Sequence, residues 1–187
     1  MTSADADEDF AMFFNDLYPS LCRFLECMLG GRERAQDIAQ ESFMQLYRTG
    51  LKSFPEGEAR FWLYRVARNR ALNELSKGQT RQRLFDRVAE AFRTGRPKML
   101  NPEQELEQAE RQQMLLVMLK RLPEGQRAAL LLREQEEMSY REIAEVLNVS
   151  ESKVKVDIFR ARETLRDHWQ RAQKSLTAGE AAARRGA

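Results

Sequence analysis

The chain has 187 residues, enough for one ordinary domain or two small ones. Charged residues make up 32% of it and aromatic residues 9%, with few Gly and Pro; the formal net charge is only +2, so any affinity for nucleic acid has to come from local patches. No apolar run approaches a membrane span, the N-terminus is acidic (Asp5, Asp7, Glu8, Asp9) where a signal peptide is basic, and no nucleophile-base pair, Gly-rich phosphate loop or acidic metal cluster is present, which points to a cytoplasmic protein without enzyme activity, metal or cofactor.

The first element is DFAMFFNDLYPSLCRFLECML, residues 9–29, with large apolar side chains at helical spacing, interrupted by Pro19 and ended by Gly30-Gly31. Phe10, Phe13, Phe14, Leu17, Leu21, Phe24 and Leu25 read as the core of a small bundle. Cys22 and Cys27 stand five apart and far from the sole histidine, His168, so they read as buried thiols without zinc or a disulfide.

Residues 33–48, ERAQDIAQESFMQLYR, predict a helix with two faces. Ala35, Ile38, Ala39, Ser42 and Leu46 form the inward stripe. Asp37, Gln40, Glu41 and Met44 stand at i, i+3, i+4 and i+7 and form a second, acidic and polar stripe, which is either a solvated face or a surface for a basic partner helix.

After the turn GLKSFPEGEA comes RFWLYRVARNRALNELSKGQTRQR, residues 60–83, with seven basic residues against the single acid Glu74, a local charge of about +6. Apolar residues surround this helix almost completely. One polar row survives, Arg65, Asn69, Asn73 and Ser76, with Trp62 at its start. Arginines suit phosphates, Asn can pair with base edges and an aromatic ring can stack on an unpaired base; Phe61, Trp62 and Tyr64 are equally core residues.

From Gly78 the pattern weakens. An amphipathic helix over 81–93 is conceivable, Thr94-Gly95-Arg96-Pro97 is a stop signal, and residues 78–100 read as a linker between two small helical domains, 1–77 and 101–172, followed by a short tail, 173–187. The second domain opens at Asn101-Pro102, an N-cap with proline at the first helical position, and its helix carries Leu106, Met114, Leu115, Val117, Met118 and Leu119. Pro123 starts a further helix that offers Ala128, Leu131 and Leu132.

MSYREIAEVLNVSESKVKVDIFRARETLRDHW, from Met138, then predicts a helix-turn-helix. Ser139 and Glu142 make a capping box, Ile143, Ala144 and Leu147 an apolar stripe, Asn148 a left-handed turn residue and Ser150 the cap of the next helix. Val154, Ile158, Ala161 and Leu165 face inward, leaving Lys153, Lys155, Phe159, Arg160 and Arg162 to a partner. Such a second helix usually lies in a DNA major groove.

These stretches resemble the bacterial sigma factors of the extracytoplasmic-function (ECF) group, sigma-70 family. DIAQESFMQLYR (Asp37 to Arg48) and FWLYRVARNRALNELSK (Phe61 to Lys77) are similar to sigma region 2. LPEGQRAALLLREQEEMSYREIAEVLNVSESKVKVDIFRARETL (Leu122 to Leu165) is similar to sigma region 4. The resemblance implies an all-α chain that directs core RNA polymerase to promoters. It further implies that Asp37, Gln40, Glu41 and Met44 meet the clamp helices of the largest polymerase subunit, and that the flap of the second-largest is also a partner. Arg65, Arg68, Asn69, Asn73 and Lys77 then surround the minus-10 element as unpaired bases, with the loop Ser53 to Ala59 in the place where the family captures a flipped base. Lys153, Lys155, Val156, Phe159, Arg160 and Arg162 serve the minus-35 element.

An anti-sigma factor is a further partner the resemblance implies. Asn73 stands where relatives commonly carry Asp, Asn148 replaces a turn glycine, and Val156 and Asp157 occupy places where relatives often have Ser and Arg. Asp157 is expected to repel phosphate and to accept from a cytosine amino group. Two rival readings remain at this point, an autonomous dimeric helix-turn-helix regulator and a helical adaptor that binds only protein.

Overall fold

The computed structural model describes the backbone of residues 3–89 and 115–185 and the side chains of residues 6–77 and 115–171. Every regular element among them is helical. In chain order these are α1 (Ser3–Leu29), α2 (Arg32–Thr49), a 3-10 turn (Leu51–Ser53), α3 (Glu58–Ala89), α4 (115–120), α5 (Glu124–Glu134), α6 (Tyr140–Leu147) and α7 (Glu151–Arg185). The chain separates into two compact units, Met1–Leu116 and Val117–Ala187.

In the first unit α1, α2 and α3 pack on one another. Leu17, Leu21, Phe24, Leu25 and Met28 of α1 meet Ala35, Ile38, Ala39, Phe43 and Leu46 of α2 and Leu63, Tyr64, Ala67 and Ala71 of α3, all buried. Phe10, Phe13 and Phe14 are only half-buried, because they sit at the outer end of the bundle and close on each other's neighbours. Phe14 stacks on Tyr18 at 4.7 Å and meets Phe43 edge-on at 4.8 Å, while Phe10 meets Tyr47 at 5.0 Å. Pro19 does not end α1: it lies on the exposed side together with Asn15, the residue whose carbonyl loses its helical donor there. Cys22 and Cys27 are unbridged and half-buried, short of the full burial the sequence suggests.

Two polar contacts fix the helices of this unit. The buried Ser42 hydroxyl donates to Ile38 O at 2.7 Å. Ser20 Oγ donates to Leu17 O at 3.0 Å and lies 3.0 Å from the Tyr64 hydroxyl. With the Ser20 proton used on Leu17, Tyr64 is the donor between them. Gly50 ends α2 with φ +83°, its N–H bonded to Leu46 O at 2.9 Å, a left-handed backbone that a side chain would strain.

α3 does not stop at Lys77. It continues through Gly78 to Ala89, because a single glycine costs a helix only about 1 kcal/mol and no stop signal precedes Thr94. The first part of the expected linker is therefore helical. Residues 90–100, the Thr94-Gly95-Arg96-Pro97 stop signal, Asn101-Pro102 and the helix start through Leu106 and Met114 lie outside the described residues. The expected tail is also helical as far as Arg185, in keeping with its Ala-rich sequence.

In the second unit α5 packs on α6 and α7. Met118, Leu119 and Leu122 join Ala128, Leu131 and Leu132 of α5, Ile143, Val146 and Leu147 of α6, and Val154, Ile158 and Ala161 of α7 in one buried core; Leu165 is half-buried at its edge. The buried Arg127 donates to Leu122 O at 3.1 Å and Lys120 O at 3.3 Å, supplying donors to carbonyls that the end of α4 leaves open. Ser139 and Glu142 form both halves of a capping box, Asn148 is left-handed (φ 54°, ψ 52°), and Ser150 Oγ accepts from Lys153 N at 3.3 Å. The helix-turn-helix is thus built as its sequence predicts.

Candidate functional site

On α2, Asp37, Gln40, Glu41 and Met44 are all exposed, Met44 by 56%, on the side away from the buried stripe. Gln40 and Met44 border a groove of about 430 Å³ whose walls include Phe10, Phe14, Phe43 and Tyr47, whereas Asp37 and Glu41 line a separate one with Arg34, Arg70 and Glu74. Tyr47 donates to Asp7 Oδ1 at 3.1 Å, and this bond raises its pKa above the ordinary tyrosine value. Two cross-links join α2 to α3: Arg34 pairs with Glu74 at 3.3 Å, and Arg70 binds Glu41 and, at 2.9 Å, Gln45 Oε1. Glu41 is therefore already engaged by α3 on one side. Nearby, burial pushes the Cys22 thiol above its ordinary pKa and leaves it protonated at neutral pH.

On α3, Asn69, Asn73, Ser76 and Lys77 are exposed in one row, and Arg65 and Arg68 are half-buried beside it. Arg65 Nε is buried without a hydrogen-bond partner, so its guanidinium is committed by packing at the stem. Of the three aromatic candidates the fold separates two roles. Tyr64 is core. Trp62 is half-buried, 5.3 Å from Phe54, which belongs to the loop leading into α3. That loop exposes Ser53, Pro55, Glu56 and Gly57; Glu58 and Ala59, expected in the loop, already belong to α3, and Ala59 is buried.

On α7, Lys155, Val156, Phe159 and Arg160 are exposed, Val156 by 45% and Phe159 by 61%, opposite the buried Val154, Ile158 and Ala161. Phe159 is thus not a core residue. Lys155 Nζ stands 5.6 Å from the centre of the Tyr140 ring, which Arg133 also overlies at 5.2 Å. The other two cations of the face are paired within the unit. Lys153 binds Asp157, and Arg162 binds Glu134, which raises the arginine's pKa further. Asp157 corrects the sequence expectation: it is 4% exposed and turned inward, where it cannot reach a base.

Among the described residues no cluster of His, Cys, Asp or Glu could hold a metal ion, and no helix is long and apolar enough to cross a membrane.

Comparison with known proteins places this geometry. The sigma-70 region 2 family matches residues 13–81, and the sigma-70 region 4 family matches residues 112–165. The ECF RNA polymerase sigma factor SigM of Bacillus subtilis is 30% identical over 161 residues, 86% of this chain and 92% of its own. The chain belongs to the ECF sigma factors of the sigma-70 family. The sigma-E factor of Haemophilus influenzae is 36% identical over 141 residues, 72% of this chain and 74% of that one. The fold is similar to that of the sigma factor RpoE of Bartonella quintana, solved with the anti-sigma factor NepR, with a TM-score of 0.64 and 22% identity over 87% of this chain and 98% of that one.

As an ECF sigma factor the protein directs RNA polymerase to promoters and performs no catalysis of its own. Three features of this sigma factor escape a reading of the sequence: the Arg70 tie to Glu41 and Gln45, the ring cluster around Phe43, and the inward turn of Asp157. Phe43 alone carried a signal, since it is a large apolar residue beside the inward Ser42 on α2.

Proposed function

We propose that the exposed stripe Asp37, Gln40, Glu41 and Met44 docks on the basic clamp helices of the largest polymerase subunit, with the second unit on the flap of the second-largest. Residues 1–77 then read the minus-10 element as unpaired bases through Arg65, Arg68, Asn69, Asn73 and Lys77. Residues 101–172 read the minus-35 element through α7. Lys155, Val156, Phe159 and Arg160 face the bases there, with Arg162 at the flank and Lys153 held back by its pair with Asp157.

One observation carries this reading: on α7 two cations and two apolar side chains share the exposed face of a helix whose opposite face is core. Cations suit guanine edges and phosphates, while Val and Phe suit thymine methyl groups, a combination that a merely solvated helix does not need. The protein works in the cytoplasm, where the polymerase is, and an anti-sigma factor that covers the polymerase-binding surfaces holds it inactive. The Bartonella quintana RpoE complex with NepR, a fold relative, supports that partner.

The test is transcription with purified core polymerase. Run-off product from a matched promoter is expected with the wild-type chain, and D37K/E41K is expected to lose core binding by at least about tenfold while keeping its helical circular dichroism spectrum, since each reversal turns an attraction into a repulsion. Unchanged core affinity of that variant overturns the α2 interface. Equal transcription from matched and altered minus-35 elements overturns the role of α7.

A further inference from the structure

Asp157 stands in the middle of the exposed cationic helix, yet its carboxylate is almost wholly buried. Both of its oxygens accept from Lys153 Nζ, Oδ1 at 3.0 Å and Oδ2 at 2.8 Å. On its other side Oδ2 lies 3.7 Å from where a Cβ on Gly125 would stand, so the first turn of α5 covers it. That turn has no side-chain cap of its own, Pro123 being its N-cap, and its partial positive charge faces the carboxylate. A buried carboxylate retains its cation, because leaving the charge uncompensated costs more than one screened contact to a phosphate returns.

We infer that Asp157 is a positioning residue of the recognition helix: it fastens Lys153 by both oxygens and seats α7 on the start of α5, so that Lys153 serves as a strut of the helix-turn-helix and not as a phosphate-binding cation. The inference rests on the reading of α7 as the minus-35 reader and divides its cations into two classes. Lys155 and Arg160 meet DNA. Lys153 is withheld from it, which removes one sequence-independent contact and leaves more of the binding to the base-facing side chains.

The experiment uses the full chain assembled with core polymerase and a promoter fragment, with affinity measured by filter binding over a series of salt concentrations. In D157N the lysine is released, and the slope of log affinity against log salt is expected to steepen by about 0.9, an extra loss of about twofold for each doubling of salt. Preference for the matched minus-35 element falls in the same variant. K153Q/D157N, a neutral pair of similar shape, is expected to return the slope to the wild-type value, whereas K155A flattens it by about 0.9. A purely structural role for Asp157 moves the melting temperature without moving these slopes. The inference is overturned if D157N leaves the slope unchanged, or if K153Q/D157N flattens it as K155A does. If K155A and R160A alter neither slope nor minus-35 preference, the reading of α7 itself is what has failed.

Discussion

Tyr64 illustrates how a single atom links two helices of the first unit. Its ring is fully buried against Phe24, with centroids 5.5 Å apart, and its hydroxyl donates to Ser20 across the α1–α3 contact. Tyr64→Phe keeps the ring and removes the donor, so it is expected to cost about 1 kcal/mol, read as a lower midpoint in thermal unfolding followed by circular dichroism. An unchanged midpoint means the bond contributes nothing net. The sequence could not choose among Phe61, Trp62 and Tyr64, because apolar residues encircle α3 and no periodicity marks one face. Asp157 was opaque for a related reason: its neighbours at i−4 and on α5 decide its direction, and α5 lies about thirty residues earlier in the chain. Exposed stripes were the legible part. Asp37, Gln40, Glu41 and Met44 follow from spacing alone, since a helix with one buried face must present its other face to solvent.

At the level of elements, α6 is specified by its own residues. The capping box at Ser139 and the left-handed Asn148 define both its ends, and both are local signals that tertiary packing did not override. Ser139→Ala removes the acceptor for Glu142 N and is expected to destabilise the second unit by about 1 kcal/mol, measured by chemical denaturation with the slope unchanged. A loss well under half of that would show that packing alone fixes the start of α6. α3 and α7 behave differently, since both extend beyond the lengths expected from pattern. Helix termination needs a positive stop signal. Gly78 alone is too weak a one, and the Ala-rich stretch near the C-terminus offers none before Arg185. Boundaries were therefore the least legible part of the fold, while the existence and order of the helices were plain.

Over the whole molecule the charge is nearly balanced, +2 across 187 residues, although α3 and α7 are locally basic. Several of those cations are neutralised in place, Arg70 by Glu41, Lys153 by Asp157 and Arg162 by Glu134. On the proposed reading the free chain is poorly equipped for DNA, and its two modest contacts become strong only when core polymerase holds both units on one promoter. The free chain is expected to bind a promoter fragment at least about 10²-fold more weakly than the assembled holoenzyme, measured by gel shift at one salt concentration. Affinities within tenfold of each other would refute that division of labour. The two tryptophans also fall one to each unit, Trp62 sheltered against Phe54 and Trp169 49% exposed. The halves are in effect labelled separately: a blue-shifted emission is expected from beside the proposed single-strand contact and a red-shifted one from the middle of α7. Unfolding or engagement of either half is then expected to move its own part of the spectrum.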